Sequence, residues 1–190
     1  MSRFDRTKLR ILPLSRRTGG VSIEEIAVTS KSPLPDLSPQ DRSIIERIAS
    51  RVTAARTQGS SVILTFGAHL IKNGLGPLVI EMMERRWITH LATNGAGSIH
   101  DWEFAFQGTT SEDVRTSVSS GTFGLWEETG RTINLAVATG VLDDLGYGWS
   151  VGRTICRDGI EIPAEDSLRE LVEQAANTAA DMEQAASAAD

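Results

Sequence analysis

The chain repeats a unit in which a short apolar strand leads into a glycine-containing loop and then into a helix. The strands are predicted over residues 61–66 and 87–93, both of which are rich in β-branched and apolar side chains. Runs of this kind are typical of strands that are buried on both faces of a parallel sheet. Two such units in succession predict adjacent parallel strands joined by a right-handed crossover. The sequence therefore indicates an α/β fold with a Rossmann-like parallel sheet and helices on both faces, in a complete or a truncated form.

The distribution of apolar, turn-forming and charged residues divides the chain into three segments. Residues 1–37 are predicted to form an N-terminal arm with one short strand over residues 23–29. Residues 38–163 are predicted to form the α/β domain, which begins with a helix that Ser38 caps and Pro39 starts and that Gly59 ends. Residues 164–190 carry seven acidic side chains and one arginine, and they predict an acidic C-terminal helix or tail.

Composition excludes several classes of protein. A hydrophobic fraction of 40% is that of a globular chain, and a formal net charge of −6 argues against a general binder of nucleic acid. No stretch approaches the roughly 20 apolar residues that span a bilayer, so no membrane association is expected. A single cysteine, Cys156, fits a reducing compartment, and we expect a cytoplasmic protein.

The two glycine-containing loops are the candidate ligand site. In open α/β sheets, ligands bind at the carboxyl ends of the strands, where loops lead into helices whose free N–H groups attract phosphate. The spacing is not the G-x-G-x-x-G of dinucleotide-binding proteins, because position 100 is histidine, and a purely structural turn remains an alternative. The candidate cofactor-binding residues are Gly67, Ala68, Thr93, Asn94, Gly95, Ala96 and Gly97.

An imidazole and two carboxylates follow the second loop at His100, Asp101 and Glu103. Histidine is the side chain best suited to proton transfer near neutral pH, and a nearby carboxylate can orient it. Residues 100 and 103 are expected to share a helix face, whereas residue 101 points elsewhere. Because only two other histidines are present, no metal site is expected.

A long block resembles the bacterial deoxyhypusine synthase-like branch of the deoxyhypusine synthase family. It reads GAHLIKNGLGPLVIEMMERRWITHLATNGAGSIHDWEFAFQGTTSEDV from Gly67, followed by GTFGLWEETG up to Gly130. The resemblance covers most of residues 40–155, and it is more remote for the eukaryotic and archaeal enzymes.

The resemblance implies a homo-oligomer that binds NAD at subunit interfaces and transfers an aminobutyl group from a polyamine such as spermidine. By this likeness, residues 93–97 match the family's cofactor loop. His100, Asp101 and Glu103 fall near the family's acidic polyamine ligands and are the candidate catalytic residues.

One departure from the family concerns its imine-forming lysine, which lies in a later part of the family's domain. Lysine occurs here only at positions 8, 31 and 72, and the covalent role does not transfer to Lys72. Three functions therefore stay open: an NAD-dependent aminoalkyl transferase, a non-catalytic Rossmann-like module that binds a nucleotide or oligomerises, and a small-molecule hydrolase that uses His100 and Asp101.

Overall fold

The computed structural model describes residues 5–189, in which helices dominate and the strands are short. Two 3-10 turns, Arg6–Lys8 and Leu14–Arg16, precede the first strand. The strands are β1 (Val21–Ser22), β2 (Ile63–Thr65), β3 (His90–Ala92) and β4 (Thr109–Thr110). The helices are α1 (Ile23–Ile26), α2 (Pro39–Thr57), α3 (Ala68–Lys72), α4 (Gly76–Glu84), α5 (Gly95–Gln107), α6 (Val114–Ser119), α7 (Glu127–Val141), α8 (Tyr147–Arg157) and α9 (Glu165–Ala189).

Strands β2 and β3 are parallel neighbours, which confirms the pairing predicted from the repeated unit. Ile63 pairs with His90 and Thr65 with Ala92, and α3 and α4 form the crossover between the two strands. The predicted strands of six and seven residues shorten to three each. The fold is thus a mixture of helix and sheet in which one parallel strand–helix–strand unit carries the predicted loops.

The burial expected for these strands is wrong. Ile63 is 62% exposed and Leu91 is 41% exposed, although both were expected inside a sheet covered on two faces. The reason is that β2 and β3 pair only with each other within residues 5–189, so few neighbouring elements are available to cover them. Apolar residues in a strand favour burial, but they do not determine whether another element packs over them.

The N-terminal segment forms a helix where the sequence predicted a strand. Ser22 accepts a hydrogen bond from the backbone N–H of Glu24, and acidic side chains occupy the first turn of α1. This capping favours helix over the strand expected at residues 23–29. Only Val21–Ser22 is extended, and it pairs antiparallel with β4.

Local signals predicted the two ends of α2 well. The Ser38 hydroxyl accepts a hydrogen bond from the N–H of Asp41, 3.1 Å away, at the start of α2. Gly59, just beyond the end of this helix, adopts φ +71°, as expected of a glycine that stops a helix.

Between α3 and α4 the chain breaks at Gly74, which has φ +82°. A Cβ at this position would clash with the backbone carbonyl of Ile26 in α1. The Gly74 carbonyl also accepts a hydrogen bond from the N–H of Val28. Glycine here allows the crossover to approach the N-terminal segment closely.

The core forms where α5, α7 and α8 meet the N-terminal segment. Leu14, at 2% exposure, is part of this cluster, and the backbone N–H and C=O of Leu12 bond to residues on either side of Trp126. The segment that reads as an arm therefore contributes to the packed interior. The buried cluster consists of Leu14, Trp102, Trp126, Ile133 and Val151.

Within residues 5–189, no helix combines the length and apolarity needed to cross a membrane.

Candidate functional site

The carboxyl ends of the parallel strands bring the two predicted loops side by side. After β2 the chain continues through Gly67 into α3, and after β3 it continues through Asn94 into α5. A Cβ built on Gly67 would lie 3.8 Å from the Asn94 amide nitrogen, so the loops nearly touch. A shallow hollow of about 440 Å³ opens here, and it is lined by Thr65, Phe66, Gly67, Ala92, Thr93 and Asn94.

Helix α5 begins inside the second loop rather than after it. The Asn94 side chain caps the helix by accepting a hydrogen bond from the N–H of Gly97, 3.2 Å away. Within the described part of the chain, the N–H groups of Gly95 and Ala96 make no hydrogen bond. These two donors, at the positive end of a 13-residue helix, are suited to an anionic group.

Tyr147, at the start of α8, lies beside this helix end. Its hydroxyl is 2.8 Å from the hydroxyl of Ser98, and it would be 3.8 Å from a Cβ on Gly95. Sequence reasoning missed both hydroxyl groups, because a separation of 49 residues gives no local signal of their contact. They place polar side chains next to the free N–H donors of α5.

His100 and Glu103 share one face of α5, as predicted, and that face points into the protein. Glu103 is 2% exposed and forms an ion pair of 2.6 Å with Arg17. Its two oxygens also accept hydrogen bonds from the hydroxyls of Thr110, at 2.5 Å, and Thr129, at 2.9 Å. Both oxygens of Glu103 therefore have partners, and the carboxylate connects α5 to the N-terminal segment, β4 and α7.

The His100 side chain joins the same network. Its Nδ1 atom lies 2.7 Å from the Thr110 hydroxyl. Burial is the main cause that lowers the pKa of His100, with further lowering from the charges of Lys72, Arg17 and His69, while Glu103 acts in the opposite direction. The imidazole therefore favours its neutral form.

Asp101 points to the opposite side of α5 and lines an apolar groove of about 590 Å³. The residue is exposed, but the apolar walls on one side of it desolvate the carboxylate and raise its pKa. The walls include Phe66, Ile71, Val79, Met83, Leu91 and Phe104.

The predicted residues therefore form three separate groups. The cofactor candidates Gly67, Ala68 and residues 93–97 gather at the strand ends, where they were expected. His100 and Glu103 belong to the buried network, and Asp101 belongs to the groove. No hydrogen bond or ion pair joins His100 to Asp101 in residues 5–189, so the hydrolase alternative has no assembled pair.

Chemically, the strand ends offer backbone N–H donors with hydroxyl groups beside them, and the Glu103 network holds the His100 imidazole at its Nδ1 atom. Among the described residues, no three His, Cys, Asp or Glu side chains cluster as a metal site would require. No known protein family, curated protein or solved structure matches the chain.

Proposed function

We propose that the chain is a deoxyhypusine synthase-like protein whose strand-end hollow binds the pyrophosphate of NAD. The observation that carries this proposal is the convergence of Gly67 and Asn94 at one edge, with two N–H donors at the start of α5 that make no hydrogen bond within residues 5–189. Phosphate groups bind to such helix starts through backbone donors, so the site does not depend on one particular side chain. In this proposal, β2 and β3 are two strands of a Rossmann-like sheet in a cytoplasmic protein.

Three features of the edge support the binding of a pyrophosphate: an open approach, backbone N–H donors and neighbouring hydroxyl groups. Glycine at position 95 leaves the approach to the N–H groups open, since the nearest atom to a Cβ there is the Tyr147 hydroxyl at 3.8 Å. Gly95 and Ala96 would donate to phosphate oxygens, and Ser98 and Tyr147 would lie beside them. When bound, NAD supplies a hydride acceptor for oxidation of a substrate such as a polyamine.

Whether an aminoalkyl transfer follows rests on the resemblance alone. Transfer through an imine needs an amine nucleophile, and Lys72, the last lysine of the chain, is half-buried in α3 and contributes to the field at His100. We therefore propose nucleotide binding as the property of this chain and treat the transferase step as a separate hypothesis. Conversion of spermidine with NAD by the purified chain would support the transferase step.

Calorimetric titration of the purified protein with NAD tests the binding proposal. Gly95→Val should abolish or strongly weaken binding, because its side chain would stand in front of the N–H donors. Gly130→Val is the matched control: it also lies near the start of a helix, and within residues 5–189 an added Cβ would have no atom within 4 Å apart from its chain neighbours and its own helix backbone. The absence of heat with folded wild-type protein, or equal affinity in wild type and Gly95→Val, would refute nucleotide binding at this edge.

A second candidate function, an oligomerisation module, is favoured by the exposed apolar stripe of α2. Ile44, Ile45 and Ile48 are 37%, 50% and 57% exposed, although they lie on one side of a 19-residue helix. Helices of this kind gain most of their stability from packing. Under this proposal the chain forms a homo-oligomer, and a monomer at high protein concentration would contradict it.

A further inference from the structure

Thr110 lies between His100 and Glu103 and is completely buried, with 0% of its surface exposed. Its hydroxyl oxygen is 2.5 Å from a Glu103 carboxylate oxygen and 2.7 Å from His100 Nδ1. One hydroxyl therefore serves two ionisable side chains, and the direction of each hydrogen bond follows from counting protons.

A threonine hydroxyl carries one hydrogen, and the carboxylate of Glu103 can only accept. Glu103 is held by Arg17 at 2.6 Å, so the Thr110 hydrogen is directed to the carboxylate. What the hydroxyl then offers to His100 is a lone pair. The contact at Nδ1 consequently requires His100 to be the donor, with its hydrogen on Nδ1.

The backbone around Thr110 holds this hydroxyl in place. Thr110 pairs with Val21 across the β1–β4 ladder, and the Arg17 guanidinium reaches the Thr109 carbonyl at 3.3 Å. The next residue, Ser111, has φ +72°, a left-handed conformation that serine seldom adopts. Such strain persists only where the surrounding structure imposes it, and it is frequent next to functional groups.

The second ring nitrogen of His100, Nε2, is not held by the network. Within residues 5–189, Nε2 makes no hydrogen bond, and the side chain is only half-buried. In the neutral imidazole with hydrogen on Nδ1, Nε2 carries the lone pair. The charged groups that act on this ring are Glu103, Arg17, Lys72 and His69, which lie on α5, the N-terminal segment and α3.

We propose that Thr110 is a positioning residue that fixes His100 as the Nδ1–H tautomer and leaves Nε2 as an acceptor for a proton from a ligand hydroxyl or ammonium group. The Arg17–Glu103–Thr110–His100 chain then serves to orient a base. In the proposed step, the O–H bond of a ligand hydroxyl or an N–H bond of a ligand ammonium group breaks, and the bonding electron pair stays on the ligand oxygen or nitrogen. The proton goes to Nε2, giving an imidazolium ion. The proposal goes beyond nucleotide binding, since it holds whether or not NAD occupies the strand ends.

The tautomer can be read by long-range proton–nitrogen NMR of the histidine rings in the folded full-length chain near pH 8. Only three histidines are present, so His69→Gln and His90→Gln variants assign the signals. We expect His100 to show a protonated Nδ1 and an unprotonated Nε2. Free imidazole side chains in water favour hydrogen on Nε2, so this result would mark an imposed tautomer.

Thr110→Val removes the hydroxyl and nearly preserves the side-chain shape. We expect the ratio of Nδ1–H to Nε2–H tautomer at His100 to fall about tenfold, because the free energy of one ordinary hydrogen bond corresponds to a change of that size. Thr129→Val is the matched control, because Thr129 also donates to Glu103 from a buried position but does not contact His100. Thr110→Ser keeps the hydroxyl and should restore the wild-type ratio.

A chemical readout complements the spectra. Diethyl pyrocarbonate acylates unprotonated ring nitrogens, so wild-type His100 should react at Nε2 and Thr110→Val should react more slowly. A wild-type His100 with hydrogen on Nε2 would overturn the proposal, even if Thr110→Val failed to fold. Equal changes in Thr110→Val and Thr129→Val would also overturn it, because the effect would then belong to Glu103 alone.

Discussion

The guanidinium of Arg17 and the carboxylate of Glu103 meet at 2.6 Å, with both side chains almost completely shielded from solvent. The two residues are 86 positions apart, and their contact fastens the N-terminal segment to α5. Because the same carboxylate accepts from Thr110 and Thr129, both oxygens of Glu103 have hydrogen-bond partners. This ion pair connects the packing of the core to the orientation of His100.

Arg17→Met should lower the free energy of unfolding by about 3 kcal/mol, because it leaves a buried carboxylate without its cation. Arg16→Met is the control: Arg16 is exposed, and its replacement should change stability by less than about 0.5 kcal/mol. Urea denaturation measures both. Similar stabilities for the two variants would show that the Arg17–Glu103 contact contributes little.

Gly140→Ala should destabilise the fold by about 2 kcal/mol, within the range for overpacked interiors. Helices α7 and α8 cross so closely here that an added Cβ would lie 2.6 Å from the Cβ of Ser150. Gly130→Ala is a control within the same helix, because open space surrounds it and alanine favours helix by about 0.5–1 kcal/mol. Thermal unfolding should therefore show a lower melting temperature for Gly140→Ala and a higher one for Gly130→Ala. A Gly140→Ala variant as stable as wild type would disprove the close crossing of α7 and α8.

Asp101→Asn should increase stability at neutral pH relative to wild type. The folded-state pKa of Asp101 is raised by desolvation, so its contribution to stability is fully present below the unfolded value of about 3.8 and is lost as pH rises through the folded value. The advantage of the variant should thus grow between pH 4 and pH 7.

Asp113→Asn is expected to change stability in the direction opposite to Asp101→Asn. Hydrogen bonds from Thr116 lower the pKa of Asp113, so its contribution is present above the unfolded value and is lost as pH falls through the folded one. Asp113→Asn should be less stable than wild type at neutral pH. Urea denaturation at several pH values measures the stability of both variants. If the greater stability of Asp101→Asn did not depend on pH, the raised pKa of Asp101 would be contradicted.

Self-association through α2 should appear in light scattering as a mass above the 20.5 kDa of one chain. Ile48→Glu should shift the population to the monomer, because it places a charge in the exposed apolar stripe. Ser50→Glu adds the same charge at an exposed position roughly 200° around the helix from residue 48, and it should leave the mass unchanged. A monomeric wild type at high micromolar concentration would rule out this interface.

Much of the local structure was predictable because the signals are short in range. The Ser38 cap, the Gly59 stop and the parallel pairing of the strands around Leu64 and Leu91 follow from periodicity, turn chemistry and the repeated unit. The gathering of the glycine loops at one edge also followed, since parallel strands place their carboxyl ends together. The strand predicted over residues 23–29 was wrong because a local cap at Ser22 outweighed the β propensity of the following residues.

By itself, the sequence determined the strand–loop–helix unit, the cap and the stop of α2, and the separation of residue 101 from residues 100 and 103 on α5. These features depend on contacts within a few residues, where spacing fixes which side chains share a face. Only the tertiary structure decided that Glu103 meets Arg17, that Thr110 stands between Glu103 and His100, and that Ile63 and Leu91 remain exposed. Those relationships depend on which distant segments pack together, and a local pattern cannot specify its partner.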